Sequence, residues 1–139
     1  MKLVVVAVGR LRPPYADDVQ HYQRLLARHA KLELIEVRED EQVARRIPER
    51  AFVSVLDAEG DTMDSVAFSE FLEQRRQDGR DLCFVIGGPF GHRGSEAEAE
   101  ADHFLSLGPM TLPHQLARVV LLEQLFRAHK ILAGEPYHY

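Results

Sequence analysis

The chain has 139 residues, 28% of them charged, with 17 Lys plus Arg against 22 Asp plus Glu and a formal charge of −5. That length suits one domain, 1–139, and 45% hydrophobic residues argue against disorder. One cysteine, Cys83, excludes an internal disulfide and a thiolate metal cluster. No apolar run approaches the roughly 20 residues of a membrane span, and Leu3–Val8 runs into Gly9, Arg10 and Arg12 where a secretory signal would have a cleavage site. The expectation is a soluble cytoplasmic domain without membrane or metal partners. The acidic balance also weighs against nucleic acid, but it is unevenly spread. Residues 1–50 carry +2, residues 51–110 carry −8, and residues 111–139 carry +1.

Leu3–Val8 is a β-branched run ended by Gly9, the pattern of a strand buried on both faces. Pro13-Pro14 delays the next helix to about Tyr15, after which Val19, Tyr22, Leu25 and Leu26 recur at helical spacing. Leu32–Val37 alternates apolar and acidic residues, as a half-buried or edge strand does. Glu39–Arg46 has room for a short helix before Pro48. Ala51–Leu56 reads as a second buried strand and Asp57–Gly60 as a turn. Asp64 or Ser65 caps a helix through Gln77, with Gly79 just past its end. Asp81–Ile86 is the third hydrophobic strand, and Ser95–Phe104 reads as a short acidic helix capped by Ser95. This alternation predicts an α/β domain with a mainly parallel sheet flanked by helices.

The last helix, from Pro113 to Gly134, has an unusually wide apolar arc. Val119, Leu121, Leu122, Leu125, Phe126, Ala128, Leu132 and Ala133 fill more than half its circumference. The excess suggests a second partner for this helix, most simply another copy of the chain. Arg118 projects from that arc, and two readings are open for it. One is a buried pair with an acidic neighbour; the other is a reach across a subunit contact or into a cleft. Glu123 and Arg127, four apart, pair on the polar side.

Ile86-Gly87-Gly88-Pro89-Phe90-Gly91 follows a buried strand, the position where open α/β sheets bind ligands. It matches neither a Walker loop nor Gly-x-Gly-x-x-Gly, which disfavours a phosphate-cradling nucleotide site. Loops starting at Leu56 and Leu105 also follow strand-like segments. If those strands neighbour Leu82–Ile86, the three loops form one rim, with Leu56, Leu107, Met110 and Leu112 as apolar walls. The tail Gly134–Tyr139 has no core pattern, yet it holds two tyrosines and a histidine able to stack on bases and exchange a proton.

Several of these segments fall together into one recognisable order. Val6-Ala7-Val8-Gly9, Leu56-Asp57-x-x-Gly60, Phe84-Val85-Ile86-Gly87-Gly88-Pro89-x-Gly91, Met110-Thr111-Leu112-Pro113-His114-x-Leu116-x-Arg118, Leu122-Glu123-x-Leu125-x-Arg127-Ala128 and Pro136-Tyr137-His138 closely resemble the RlmH family. These are the ribosomal large-subunit pseudouridine N3-methyltransferases of the SPOUT class. The resemblance runs nearly end to end. It implies a C-terminal trefoil knot, which pattern reasoning would not propose, and a homodimer built through it. It places S-adenosylmethionine against Leu56, Gly87, Gly88, Leu107, Gly108, Pro109, Met110, Thr111 and Leu112. It implies N3 methylation of a pseudouridine in helix 69 of 23S rRNA within the assembled 70S ribosome. His138 is then the candidate catalytic residue, and Arg118, Arg127, Tyr137 and His138 the candidate RNA contacts. The chain departs from the family twice: only thirteen residues join Val37 to Ala51, and Tyr139, not a basic residue, follows His138. A different RNA acceptor within the SPOUT class, or a non-catalytic ribosome-binding module on the same fold, are the alternatives.

Overall fold

A computed structural model describes residues 1–87 and 96–137. Five strands, β1 (Lys2–Val8), β2 (Lys31–Val37), β3 (Phe52–Thr62), β4 (Leu82–Ile86) and β5 (His103–Ser106), form one sheet in the order β2-β1-β4-β3-β5. Every pairing is parallel. The central strands are buried on both faces. In β1, Leu3, Val5 and Ala7 enter one core while Val4, Val6 and Val8 enter the other, and this is why the segment reads as an unbroken apolar run. β2 is indeed an edge strand, and its exposed Glu36 alternates with buried Ile35 and Val37.

Helices α1 (Tyr15–Leu26), α3 (Ser65–Asp78) and α5 (His114–Ala133) cover the first face. The other face is covered by a short 3-10 turn, Asp40–Gln42, with α2 (Val43–Arg46) and α4 (Glu96–Ala99). Asp64 caps α3 by accepting from the Ala67 N–H at 2.8 Å, and Gly79 ends it at φ 75°, as the sequence predicts. α5 packs against both α1 and α3, burying Leu121, Leu122 and Leu125 almost completely within one chain. Two helical neighbours therefore account for most of its wide apolar arc, and the arc by itself does not demand a second subunit. Leu132, 42% exposed, lies at its outer end.

Two expected elements differ. The Asp57–Gly60 turn is an insertion within β3: Leu56 and Asp61 both stand opposite Leu105, so four residues bulge out and the strand resumes. Gly60 is needed there, because a Cβ would lie 2.7 Å from the Phe104 carbonyl group. The predicted helix over Ser95–Phe104 shrinks to Glu96–Ala99, and the chain then enters β5. Asp102 redirects it: its carboxylate accepts from the Val53 N–H at 2.9 Å, while its own N–H donates to the Val53 carbonyl. The proposed Ser95 cap lies outside the described residues.

Candidate functional site

The C-terminal ends of β3, β4 and β5 lie side by side. β3 pairs directly with β4, and β5 pairs with β3, so the Leu56 bulge, Gly87 and the loop from Leu107 to Pro113 share one rim. Along that rim Leu56, Leu107 and Leu112 are half-buried, whereas Pro109, Met110 and Thr111 are exposed. Met110 is 79% exposed, unusual for so large an apolar side chain.

Ser106 fastens the loops together. Its hydroxyl lies 3.0 Å from the Ala58 and Gly108 carbonyl oxygens and accepts from the Gly108 N–H at 3.0 Å. Gly108 itself has φ 126°, a backbone state that side chains disfavour. Sequence reasoning missed Ser106, because a serine at a strand end has no distinctive neighbours until the bulge opposite is known. A second string, Ser54 Oγ to His103 Nδ1 at 2.9 Å and His103 Nε2 to Asp61 at 3.0 Å, superficially resembles a hydrolytic triad. Ser54 is wholly buried in the sheet, so no substrate reaches it and the string ties β3 to β5.

Arg118 is 4% exposed. Its guanidinium bonds the Glu36 carboxylate at 2.7 Å and donates to the Val8 and Gly9 carbonyls at 2.9 and 2.6 Å. Of its two open readings, the buried pair describes this geometry. Beside it is His114, whose pKa is lowered by burial and by the Arg118 and Arg12 guanidiniums. His114 is therefore neutral at pH 7.

Arg127 is tied to the tail. It donates to Glu123 at 2.8 Å and its guanidinium lies 4.9 Å from the Tyr137 ring centroid. Tyr137 also donates to Glu123 at 3.0 Å and packs edge-on against Phe126. Burial, then the bond to Glu123, pushes the Tyr137 phenol up to about 12. Glu123 and Arg127 are thus a partly buried anchor for the tail, not only a surface pair. Of the sequence-predicted residues, Leu56, Gly87 and Leu107–Leu112 come together at the rim, while Arg118, Arg127 and Tyr137 sit on or beside α5. Gly88 and His138 lie outside the described residues.

A family model described as "Predicted SPOUT methyltransferase" matches residues 1–138. The chain belongs to the SPOUT methyltransferase family. Within that family, it is 42% identical over 153 residues to the ribosomal RNA large subunit methyltransferase H of Anaeromyxobacter sp. (strain K), covering 99% of both chains. It is 38% identical over 154 residues to the protein of that name in Gemmatimonas aurantiaca, again covering 99% of both. Its fold is also similar to a solved structure, the SpoU methyltransferase AviRb from Streptomyces viridochromogenes in complex with the cofactor AdoMet, with TM-score 0.56 and 16% identity. The likeness covers 96% of this chain and 59% of that one.

Proposed function

We propose that this SPOUT protein transfers a methyl group from S-adenosylmethionine to N3 of a pseudouridine in helix 69 of 23S rRNA, acting in the cytoplasm on the assembled 70S ribosome as a homodimer. The observation that carries the reading is the end-to-end identity with curated large-subunit methyltransferases H, with coverage of 99% on both sides. The rim fits the cofactor. Its half-buried leucines suit an adenine face, its exposed Met110 offers a further apolar contact, and Ser106 holds the loop backbone in place. Leu56, Gly87, Gly88 and Leu107–Leu112 are the residues assigned to holding it.

When bound, S-adenosylmethionine supplies a methyl group already activated by its sulfonium. The protein's main task is then to align N3 with that methyl, a contribution of proximity and orientation. N3 must lose its imide proton as the new N–C bond forms. The reading gives that proton to His138, carried on the tail that Arg127, Glu123 and Tyr137 anchor. A trefoil knot through the rim loops and a dimer through α5 belong to the same reading, supported by family membership and by the exposed Leu132. The experiment is mass mapping of rRNA after adding protein and cofactor to ribosomes lacking the mark. One added methyl on the helix 69 pseudouridine is expected, and methylation elsewhere or nowhere would overturn the assignment.

A further inference from the structure

A second concavity lies beside the rim. Between the C-terminal halves of β1 and β2 and the helices α1 and α5 is an open cavity of about 340 Å³. This lies within the size range of small-ligand pockets. Its walls are apolar, with Val5, Ala7, Val19 and Leu122, and its polar edge holds Arg10, Glu36 and Arg118. Arg118 Nε is buried and has no hydrogen-bond partner among the described residues, although the other guanidinium nitrogens are well engaged. The Glu36 carboxylate, its side chain 41% exposed, is the group at this edge within a ligand's reach.

The loop over the cavity is fixed by three hydrogen bonds to two residues. Leu11 N–H donates to Glu36 at 2.8 Å, Arg12 N–H donates to Gln115 at 2.8 Å, and Gln115 donates to the Arg10 carbonyl at 3.1 Å. On this rigid backbone the Arg10 and Arg12 side chains are both exposed. Ala7 pairs with Ile86, so the loop begins one strand spacing, about 4.8 Å, from the strand that leads into Gly87. The chain as a whole is acidic, which makes two exposed arginines on an anchored backbone next to the rim a local exception.

We propose that this cavity is a second nucleotide-binding site, taking an unpaired base that neighbours the methylated one, with its phosphate held by Arg10 and Arg12. The Glu36 carboxylate at the polar edge would accept from a base amino group, and the aliphatic walls would face the ring. Unpaired bases splayed from a loop are the usual targets of specific RNA recognition, and arginines on phosphates set the register. The proposal rests on the rRNA-methylation reading and specifies how that substrate is gripped.

Two variants test it without touching the core. Arg10→Glu reverses the charge at the mouth, and Gln23→Trp, at an exposed cavity-lining position of α1, fills the opening. Methyl transfer to unmarked ribosomes is measured against ribosome concentration, with cofactor affinity by calorimetry and melting temperature as controls. KM for ribosomes is expected to rise at least about tenfold in each, with cofactor affinity and melting unchanged, and Arg10→Lys is expected to restore most of it. The slope of log affinity against log salt should flatten by about 0.7 per lost single-strand phosphate contact. Unchanged KM in both variants, or a loss traced to cofactor binding or melting, would overturn the proposal. Co-sedimentation with ribosomes needs no turnover and keeps the two readings apart. Wild-type protein that sediments without transferring methyl removes the methylation reading alone, whereas variants that sediment like wild type remove the cavity.

Discussion

Tyr137 shows how much of the site is set by single contacts. Its hydroxyl donates to the carboxylate that also binds Arg127, so ionising the phenol would place two negative charges side by side. Ultraviolet titration should find one of the four tyrosines ionising at about 12, and Tyr137→Phe should remove that step. His129 acts at the same scale. Burial lowers its pKa from 6.5, outweighing the bond between its ring and the Leu125 carbonyl, and nearby His29 adds to the lowering. The unfolded chain therefore binds the proton more readily than the folded one. The histidine's contribution to stability is complete above about 6.5 and is lost as pH falls through the lower folded value. The melting temperature should drop between pH 7 and pH 5, and His129→Gln should show a smaller drop. Arg118 was legible as a residue of interest, since a cation in an apolar arc is conspicuous. Its partner was not, because Glu36 is 82 positions away and only the fold brings the two together.

At the scale of elements, the strands and capped helices were readable where a local pattern is long. β1 is a seven-residue strand and α5 a twenty-residue helix, and each has enough repeats to declare its period. The failures were short. Glu96–Asp102 has helix-forming composition but only one turn of helix, because Asp102 is engaged with Val53 across the sheet. His103–Ser106 has four residues, too few to show alternation. The bulge in β3 reads as a turn in the sequence because Asp57–Gly60 has turn chemistry; pairing with β5 on either side of it is a long-range fact. Two glycines test this account. Gly60→Ala forces a methyl against the Phe104 backbone and should cost about 3 kcal/mol or more, the upper end of what overpacking costs. Gly79→Ala meets no atom within 4 Å and should cost about 1–2 kcal/mol, the penalty for its left-handed backbone alone. Chemical denaturation of both variants measures the difference, and equal losses would argue against the tight crossing at Gly60.

For the whole molecule the acidic balance matters more than any single site. A charge of −5 per chain, doubled in the proposed dimer, gives little long-range attraction to a polyanion. Binding to isolated helix 69 RNA should therefore be weak, with recognition depending on the shape of the assembled ribosome. Tight, strongly salt-dependent binding to the free hairpin, measured by fluorescence anisotropy, would contradict this. Sedimentation equilibrium should give twice the 15.8 kDa chain mass if the dimer forms. The α/β class and the rim loops were legible because they follow from local runs and an ordered set of motifs. The two-sided packing of α5, the Ser106 staple and the cavity beside β1 were not, since each depends on which strands become neighbours. The central claim is tested most directly by the rate of methyl transfer to ribosomes lacking the mark, comparing wild type with His138→Ala. One methyl at N3 of the helix 69 pseudouridine is expected, with a loss of about 10²-fold or more in the variant, the usual scale for a general base. No transfer by wild type, or equal rates for both proteins, would contradict it.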